Sequence, residues 1–349
     1  TGGTAVRAGT LVVSADANLG NAAAGLSLAN GGILSIAGSN YTGTARGVTL
    51  ANSGGAIAIQ NAAHTFDLSG RVTGDGAFTK TGAGTLVLSG VNDYTGGTIV
   101  AAGTLVGNTQ SLQGNIANNG ALVFDQSAAG IYAGALSGAG TLTKQGGGSL
   151  TLTGSNTVGG ATAVNGGVLR VDGSLTTASV TVNDSATLAG AGTVAGNVTV
   201  ANGGRLAADT VTNRVNIDGT LALNQNSQLD IGLGAPNTGN TAITVAGDLT
   251  LDGILNVSDV GGMSTGVYQL LSYGGALTDN GVDFGALPAG YTSDNFNLQT
   301  NLGQSVNLVV ESTPGEIQFW NGAKTVADNT LEGGDGSWTA AGTNWTNAA

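Results

Sequence analysis

The chain has 349 residues, of which 63 are glycine, 3 are proline and none is cysteine. The low proline content excludes a collagen-like helix, and the lack of cysteine excludes disulfides, thiolate nucleophiles and zinc–thiolate centres. The 21 acidic and 9 basic residues give a net charge of −12. Because the basic residues stand apart from one another, binding to nucleic acid or to an anionic membrane is not expected.

One stretch of the chain occurs twice, 64 residues apart. Residues 74–106 and 138–170 share 15 identical pairs in 33 positions, and 12 of these pairs fall at even-numbered positions of the first copy. Alternating identity is typical of β-strands, whose successive side chains point to opposite faces. After Val100 the identities move to odd positions, which indicates a turn at residues 101–102. The repeated unit is therefore predicted to be strand, turn, strand.

Short phrases with a small turn followed by alternating apolar residues recur along most of the chain. Close neighbours among their turn glycines are 15 to 23 residues apart, about the length of a solenoid coil with three short strands. The sequence therefore predicts an all-β solenoid with very little helix, an apolar Leu, Val and Ile interior and a polar exterior. The 64-residue repeat then spans about three coils. The turn glycines are Gly9, Gly32, Gly103, Gly120, Gly167, Gly204, Gly219 and Gly253.

Two other classes of chain fit the composition less well. Disorder is disfavoured because 41% of the residues are hydrophobic and alternate regularly. A membrane β-barrel is disfavoured because aromatic residues, at 4%, are too few for two aromatic girdles.

The texture of the sequence changes twice. Residues 1–230 are predicted to form repetitive coils, and residues 231–312, with longer strand phrases and more acids, the C-terminal part of the same β-helix. Residues 313–349 hold all three tryptophans, and we expect a linker or the start of a further module there. The chain opens inside a repeat-like phrase, so a piece of a longer protein is expected.

Four stretches resemble sequences of one protein family. Gly82–Val106 closely resembles the passenger-associated transport repeat of bacterial autotransporters, the type V secreted proteins, and Gly146–Val171 is a second, slightly weaker copy. Val180–Ala207 resembles a phrase that commonly follows the repeat. Val245–Val310 resembles the part nearest the translocator in large autotransporter adhesins.

The resemblance implies a right-handed parallel β-helix that is displayed at the bacterial cell surface or outer membrane, or secreted. It also implies export through the protein's own C-terminal translocator barrel, which lies outside this sequence together with the signal peptide. The resemblance identifies a scaffold and a secretion route and does not identify a ligand.

A nucleophilic triad is the first enzyme site that we considered. His64, the one histidine, stands near Asp67 and Ser69. On a strand His64 would face away from the other two residues, whereas a Ser-His-Asp triad needs all three together. A histidine at the surface or in a turn is the favoured interpretation.

Paired carboxylates for glycoside hydrolysis are the second possibility. Asp248 with Asp252, and Asp279 with Asp283, stand in turn contexts that favour a structural role. A site like that of pectate lyases would need acids beside a basic residue. The one local hint of such a site is Asp209 with Arg205 and Arg214.

Metal and cofactor motifs are also missing from the sequence. Residues 333–338 begin like a calcium-binding nonapeptide but place Trp338 where an aspartate is required, and the phrase occurs once. No phosphate-binding loop motif occurs. We therefore predict no catalytic residues, no cofactor and no metal.

The function expected from these observations is non-enzymatic: a surface-displayed β-helical stalk with an adhesive, virulence-associated role and a part in export. The expected partners are host surface proteins, matrix or glycans, or further copies of the chain. The alternatives are a polysaccharide-degrading β-helix enzyme and a passive spacer for an N-terminal functional head. Recognition is expected at positions where the two repeat copies differ.

Overall fold

The regular secondary structure of the computed structural model is almost entirely short β-strands. It describes residues 2–236, 241–300 and 303–313, and the strands Gln318–Trp320 and Trp345–Asn347. Two 3-10 turns, Asp16–Leu19 and Ser293–Asn295, are the helical elements of these parts. The prediction of an all-β parallel solenoid with very little helix is confirmed. The handedness of the coil stays a prediction.

The chain forms two compact units, Thr1–Thr181 and Val182–Ala349. The strands of the first unit are β1 (Thr4–Val6), β2 (Thr10–Val13), β3 (Leu26–Ala29), β4 (Gly32–Ile36), β5 (Gly43–Thr44), β6 (Val48–Ala51), β7 (Gly55–Ile59), β8 (Thr65–Leu68), β9 (Val72–Gly74), β10 (Phe78–Thr81), β11 (Thr85–Leu88), β12 (Thr98–Val100), β13 (Thr104–Gly107), β14 (Ile116–Asn118), β15 (Ala121–Asp125), β16 (Gly130–Tyr132), β17 (Leu136–Ser137), β18 (Thr141–Gln145), β19 (Ser149–Leu152), β20 (Ser155–Val158), β21 (Thr162–Val164), β22 (Gly167–Val171) and β23 (Ser174–Val182).

In the first unit each coil passes through three sheets, here named faces I, II and III. Face I holds β1, β3, β6 and β9, and later β16, β19 and β22. Face II holds β2, β4, β7, β10, β12, β14 and β17, followed by β20 and β23. Face III holds β5, β8, β11, β13, β15, β18 and β21. All these pairings are parallel, because each strand lies beside the same strand of the next coil.

The interior of the first unit is built from columns of aliphatic side chains. On face III the residues at the centre of β11, β13, β15 and β18 pair in register, and their side chains are at most 1% exposed. Burying a leucine side chain contributes about 1.5–3 kcal/mol relative to leaving it in water. The strands are held together mainly by such columns, as the alternation predicts. The members of this column are Leu86, Leu105, Leu122 and Leu142.

The two repeat copies do not lie directly above one another. Leu86 of the first copy lies in β11 on face III, and Leu142, three coils further on, lies in the same column. Leu150, the counterpart of Leu86 in the second copy, lies in β19 on face I. The 64-residue interval is therefore three coils plus one face, which agrees with the prediction of about three coils. The second copy is turned to the next side, which the sequence did not predict.

The interior is also less uniformly apolar than predicted. Side chains of two lysines and several asparagines lie inside the first unit with at most 5% exposure. Buried polar groups need hydrogen-bond partners, and these side chains bond mainly to backbone groups of the turns and of adjacent coils. They are Lys80, Asn92, Asn118, Lys144 and Asn156.

The turn glycines serve two different purposes. Gly103 has φ +68°, a left-handed conformation that favours glycine. Gly120 has no positive φ, but a Cβ there would lie 2.5 Å from the carbonyl oxygen of Gly103 in the preceding coil. Glycine is needed at some corners for backbone conformation and at others because the stacked coils approach closely.

The second unit repeats the three-sheet arrangement. Face I holds β24, β26, β29, β32 and β35, face II holds β25, β27, β30 and β33, and face III holds β25, β28, β31 and β34. The strands are β24 (Ala186–Ala189), β25 (Thr193–Val200), β26 (Arg205–Asp209), β27 (Val215–Ile217), β28 (Leu221–Leu223), β29 (Gln228–Leu233), β30 (Ile243–Val245), β31 (Leu249–Leu251), β32 (Ile254–Asp259), β33 (Gly266–Tyr273), β34 (Leu277–Asp279), β35 (Asp283–Phe284), β36 (Phe296–Gln299), β37 (Ser305–Val310), β38 (Gln318–Trp320) and β39 (Trp345–Asn347).

An antiparallel hairpin ends the regular stacking in this unit. β37 runs antiparallel to both β33 and β36. Leu308 of β37 is fully buried, and Phe296 of β36 packs on Phe284 of β35 with ring centroids 5.8 Å apart. The hairpin covers apolar side chains that a further coil would otherwise cover, as a capping element does.

The boundaries predicted at residues 230 and 312 stay predictions. Most of the tryptophan-containing segment, residues 313–349, lies outside the described residues, as does the calcium-like phrase at 333–338.

Candidate interaction surface

Two columns of outward side chains follow face III of the first unit. They alternate with the buried leucines, so the strand period fixes their direction. From β11 to β18 neither column contains a charged residue, and most of the side chains are half-buried. The first column is Thr65, Thr85, Thr104, Ala121 and Thr141, and the second is Asp67, Val87, Val106, Val123 and Thr143.

We call the uncharged part of these columns, residues 85, 87, 104, 106, 121, 123, 141 and 143, the Thr/Val surface. Strands of neighbouring coils lie about 4.8 Å apart, so its side chains form a regular array. Threonine and valine have few rotamers and lose little side-chain entropy when a partner covers them. The arrangement can make many shallow contacts, and its side chains are hydroxyls and aliphatic groups with no carboxylate, imidazole or amine among them.

A shallow hollow lies on face II of the same unit. Its floor is formed partly by small residues, Gly96, Gly97 and Ala117, and Ile99 beside them is 37% exposed. The side-chain oxygen of Asn115 at its rim accepts a hydrogen bond from the backbone N–H of Ala135 at 2.9 Å. The hollow offers hydroxyl, amide and aliphatic groups to a polar ligand.

A polar network follows face I of the second unit. Arg205 forms an ion pair with Asp230 at 2.9 Å, and the side-chain amide of Asn256 donates to Asp230 at 2.6 Å and to Gln228 at 2.8 Å. Asn256 also accepts from the backbone N–H of Ala286 at 2.7 Å. These side chains join strands of successive coils, so their polar groups serve the stacking of the solenoid.

The structure does not bring His64, Asp67 and Ser69 together as a triad. The His64 ring is buried, and its Nε2 lies 3.0 Å from the carbonyl oxygen of Tyr41, to which it donates. The Asp67 carboxylate accepts a hydrogen bond from Ser89 at 2.6 Å instead. His64 does follow a turn, as predicted, but the prediction of a surface position is wrong because Tyr41 and the adjacent coil cover the ring.

Asp209 does not form a site with Arg205 and Arg214. Its carboxylate accepts hydrogen bonds from the backbone N–H groups of Val211, Thr212 and Asn213. Burial raises the pKa of Asp209, but these hydrogen bonds outweigh it and the net pKa is lowered. Asp209 holds a loop in place.

Three of the four paired aspartates accept hydrogen bonds from backbone N–H groups. Asp248 accepts from the backbone N–H of Ala276 at 2.8 Å, and Asp252 accepts from that of Gly253 at 2.7 Å. Asp279 accepts from the backbone N–H of Gly281 at 3.0 Å. Over the described residues, no group of three His, Cys, Asp or Glu side chains could hold a metal ion.

A buried arginine near the start of the chain was not singled out by the sequence. Arg46 bonds to both carboxylate oxygens of Asp16, at 2.9 and 2.8 Å, and to backbone carbonyls between residues 16 and 24. Tyr41 and Thr44 donate to the same carboxylate. The partners lie about 20 to 30 residues away, so no local sequence signal indicates them.

Comparison with known proteins agrees with the repeats. The family model named Passenger-associated-transport-repeat matches residues 78–106 and 142–171. The chain is 43% identical over 311 residues to the Adhesin BmaC autotransporter of Brucella suis biovar 1 (strain 1330). The match covers 81% of this chain but only 9% of that relative.

No helix within the described ranges is long and apolar enough to cross a bilayer. Three findings agree on the family: the solenoid fold, the two matched repeats and the similarity to an autotransporter adhesin. They also indicate the location, since the protein is displayed at the bacterial outer membrane or secreted from it. The chain is a section of a passenger domain of the bacterial autotransporter family, with two passenger-associated transport repeats.

Proposed function

We propose that this section of the passenger is a non-enzymatic adhesive scaffold and that the Thr/Val surface is its contact surface. The observation that carries the proposal is the uncharged array on face III, which continues through β11, β13, β15 and β18. The similarity to a protein named as an adhesin supports it.

The partner is a host surface protein, matrix component or glycan, or another copy of the chain. Each contact with a threonine or valine is weak, but contacts along one face act together, and many passengers on one cell add further avidity. A virulence-associated role follows from the same adhesion.

The test uses the full passenger displayed on bacteria and measures adhesion to host cells and to deposited host matrix. In the variant, Val87, Val106 and Val123 are each replaced by lysine. The ammonium groups of these lysines remain hydrated, so they prevent a partner from making close contact with this surface over three coils. We expect adhesion to fall roughly tenfold, or about 1.4 kcal/mol of binding free energy.

The matched control replaces Ser27, Thr49 and Thr73 by lysine. These residues form an outward column on face I with the same strand spacing. The control keeps the added charge and should retain adhesion. Equal adhesion by both variants, at equal surface display, would remove the Thr/Val surface from the proposal.

A polysaccharide-degrading enzyme is the alternative. Four of the five carboxylates considered for it accept hydrogen bonds from backbone N–H groups of turns, of a loop or of the next coil, which favours a structural role. Glycan cleavage by the purified passenger that is lost when these aspartates are changed to asparagine would overturn the non-enzymatic proposal.

A part in export is the second component of the proposal. The hairpin of β36 and β37 could give the C-terminal coils a covered end as they emerge from the protein's own translocator barrel. Deleting residues 231–312 should then reduce the amount of passenger at the surface in the same display assay. Unchanged export would exclude this role.

A further inference from the structure

The two transport repeats bury a lysine at equivalent positions with the same surroundings. The Nζ atom of Lys80 donates to the carbonyl oxygens of Thr81 and Gly82, both at 2.8 Å, and of Ala102 at 3.0 Å. Lys80 is 0% exposed. An ammonium group has three donors, and here all three have an acceptor.

Lys144 repeats this arrangement 64 residues later. Its Nζ donates to the carbonyl oxygens of Gln145 and Gly146, both at 2.8 Å, and of Gly166 at 2.9 Å. In each copy two acceptors lie in the turn after the lysine, and the third lies 22 residues ahead, in the turn of the next coil. Because the second copy is turned by one face, the same contact recurs at a different corner of the solenoid.

A buried asparagine in each copy links coils in both directions. The side-chain oxygen of Asn92 accepts from the backbone N–H of Val72 at 2.8 Å, and its amide donates to the carbonyl oxygen of Ser111 at 2.8 Å. Asn156 makes the equivalent bonds to Leu136 at 3.2 Å and to Ser174 at 3.0 Å. Each repeat therefore joins three successive coils through buried polar groups.

The apolar columns alone do not define which coil stacks on which. Leucine and valine recur in nearly every coil, so a slip by one whole coil would keep most apolar contacts. The column that contains Lys80 is not uniform in this way. Ile57 and Val100 lie on either side of Lys80, and Asn118 lies beside Val100 in the following coil. The side-chain amide of Asn118 donates to the carbonyl oxygen of Thr141 at 2.8 Å. If the strand of Lys80 stacked one coil too far along, Lys80 would lie beside Asn118, whose amide already has this partner.

We propose that Lys80 and Lys144, assisted by Asn92 and Asn156, are register pins that select the correct neighbouring coil as the solenoid assembles. In a wrong register the buried ammonium would keep its two local acceptors and lose the one in the next coil, which leaves a buried charged donor unpaired. Buried polar groups have the same effect in coiled coils, where one polar residue fixes the register at some cost in stability. The proposal goes beyond adhesion and does not depend on any ligand.

Burial disfavours the charged form of both lysines, and the carbonyl acceptors favour it. It lowers the pKa of the Lys80 ammonium to about 8, and it lowers the pKa of Lys144 as well. The three carbonyls oppose this effect, since only the charged ammonium can donate to all three.

The test replaces Lys80 by methionine, which has a similar length and no charge, and Lys144 by methionine in a separate variant. Each full chain is unfolded in urea, refolded, and analysed by hydrogen exchange with mass spectrometry. We expect Lys80→Met to give two populations in peptides from residues 78–125, with the native one reduced at least about twofold. Lys144→Met should give the same result in peptides from residues 142–181.

The control is Leu86→Ala, which truncates a fully buried side chain in the same coil as Lys80 and so destabilises that coil. This variant should refold to one population whose backbone amides are less protected from exchange, because the substitution lowers stability and leaves both lysines in place. The proposal is overturned if the lysine variants refold to one population, or if Leu86→Ala divides into two as well. It is also overturned if neither lysine variant regains solenoid structure, since register pins select among folded arrangements.

Discussion

At the residue scale, two adjacent glycines of the second repeat have opposite roles. A Cβ on Gly147 would have no atom within 4 Å, whereas a Cβ on Gly148 would overlap the carbonyl oxygen of Ala128 in the coil before it. The first repeat has Ala83 at the position of Gly147 and keeps glycine at the position of Gly148. Stacking distance, and not turn conformation, explains the second glycine.

The substitution Gly148→Ala should destabilise the chain by about 2 kcal/mol, because the added methyl group must push two stacked coils apart. Gly147→Ala is the matched control and should change the unfolding free energy by about 0.5 kcal/mol in the stabilising direction, by restricting the unfolded chain. Urea unfolding measures both. Equal effects of the two substitutions would contradict the stacking explanation.

Residue roles were predictable where they follow from alternation and were missed where they depend on distant partners. The inward leucines and the turn aspartates follow from local sequence. Lys80 and Arg46 did not stand out, because most of their acceptors are backbone carbonyls. The acceptors of Arg46 and the third acceptor of Lys80 also lie 22 to 30 residues away. Every residue has a backbone carbonyl, so the sequence does not indicate which carbonyl will accept a hydrogen bond from a distant side chain.

At the element scale, the Arg46–Asp16 contact holds the loop with the 3-10 turn Asp16–Leu19 against the start of face III. The hydrogen bond from Arg46 is the main reason that the pKa of Asp16 is lowered, from 3.8 to about 2. A carboxyl with a lowered pKa in the folded state stabilises that state above the unfolded pKa. This stabilisation is present above about pH 4 and is lost as the pH falls to about 2.

The substitution Asp16→Asn should therefore lower the unfolding free energy by about 1 kcal/mol above pH 4, a value reduced by solvent because the Asp16 side chain is 40% exposed. The difference from wild type should shrink between pH 4 and pH 2. Urea unfolding across this range measures it. Asp93→Asn, which breaks an exposed pair with Arg71, should change little at any pH. A difference for Asp16→Asn that does not vary with pH would contradict the prediction.

The strands themselves were predictable from the sequence, but the turning of the second repeat was not. Coil lengths vary by a few residues, so an interval of 64 residues does not define on which face a strand falls. The structure also shows how the copies tolerate a difference. In the first copy the Tyr94 hydroxyl lies 2.7 Å from Thr98, and in the second, where valine replaces tyrosine, the Thr177 hydroxyl lies 3.0 Å from Thr162.

At the scale of the whole molecule, the chain is a scaffold that presents the same kinds of side chain at regular intervals. Polar side chains that could serve catalysis are mostly bonded to turns, loops or adjacent coils within the described residues. The Thr/Val surface on face III forms an uncharged array instead. The sequence predicted such a scaffold and its family, but not which face carries the array, because that depends on the register of every coil.

The most direct test of the account is whether a partner covers the Thr/Val surface. The sequence described has no cysteine, so Val106→Cys and Thr49→Cys each introduce the one thiol of this section, on face III and on face I. The rate of labelling by a bulky maleimide is measured on the displayed passenger, with and without bound host matrix. The account predicts that matrix slows labelling at position 106 several-fold and leaves position 49 unchanged. Equal labelling at position 106 with and without bound matrix would contradict it.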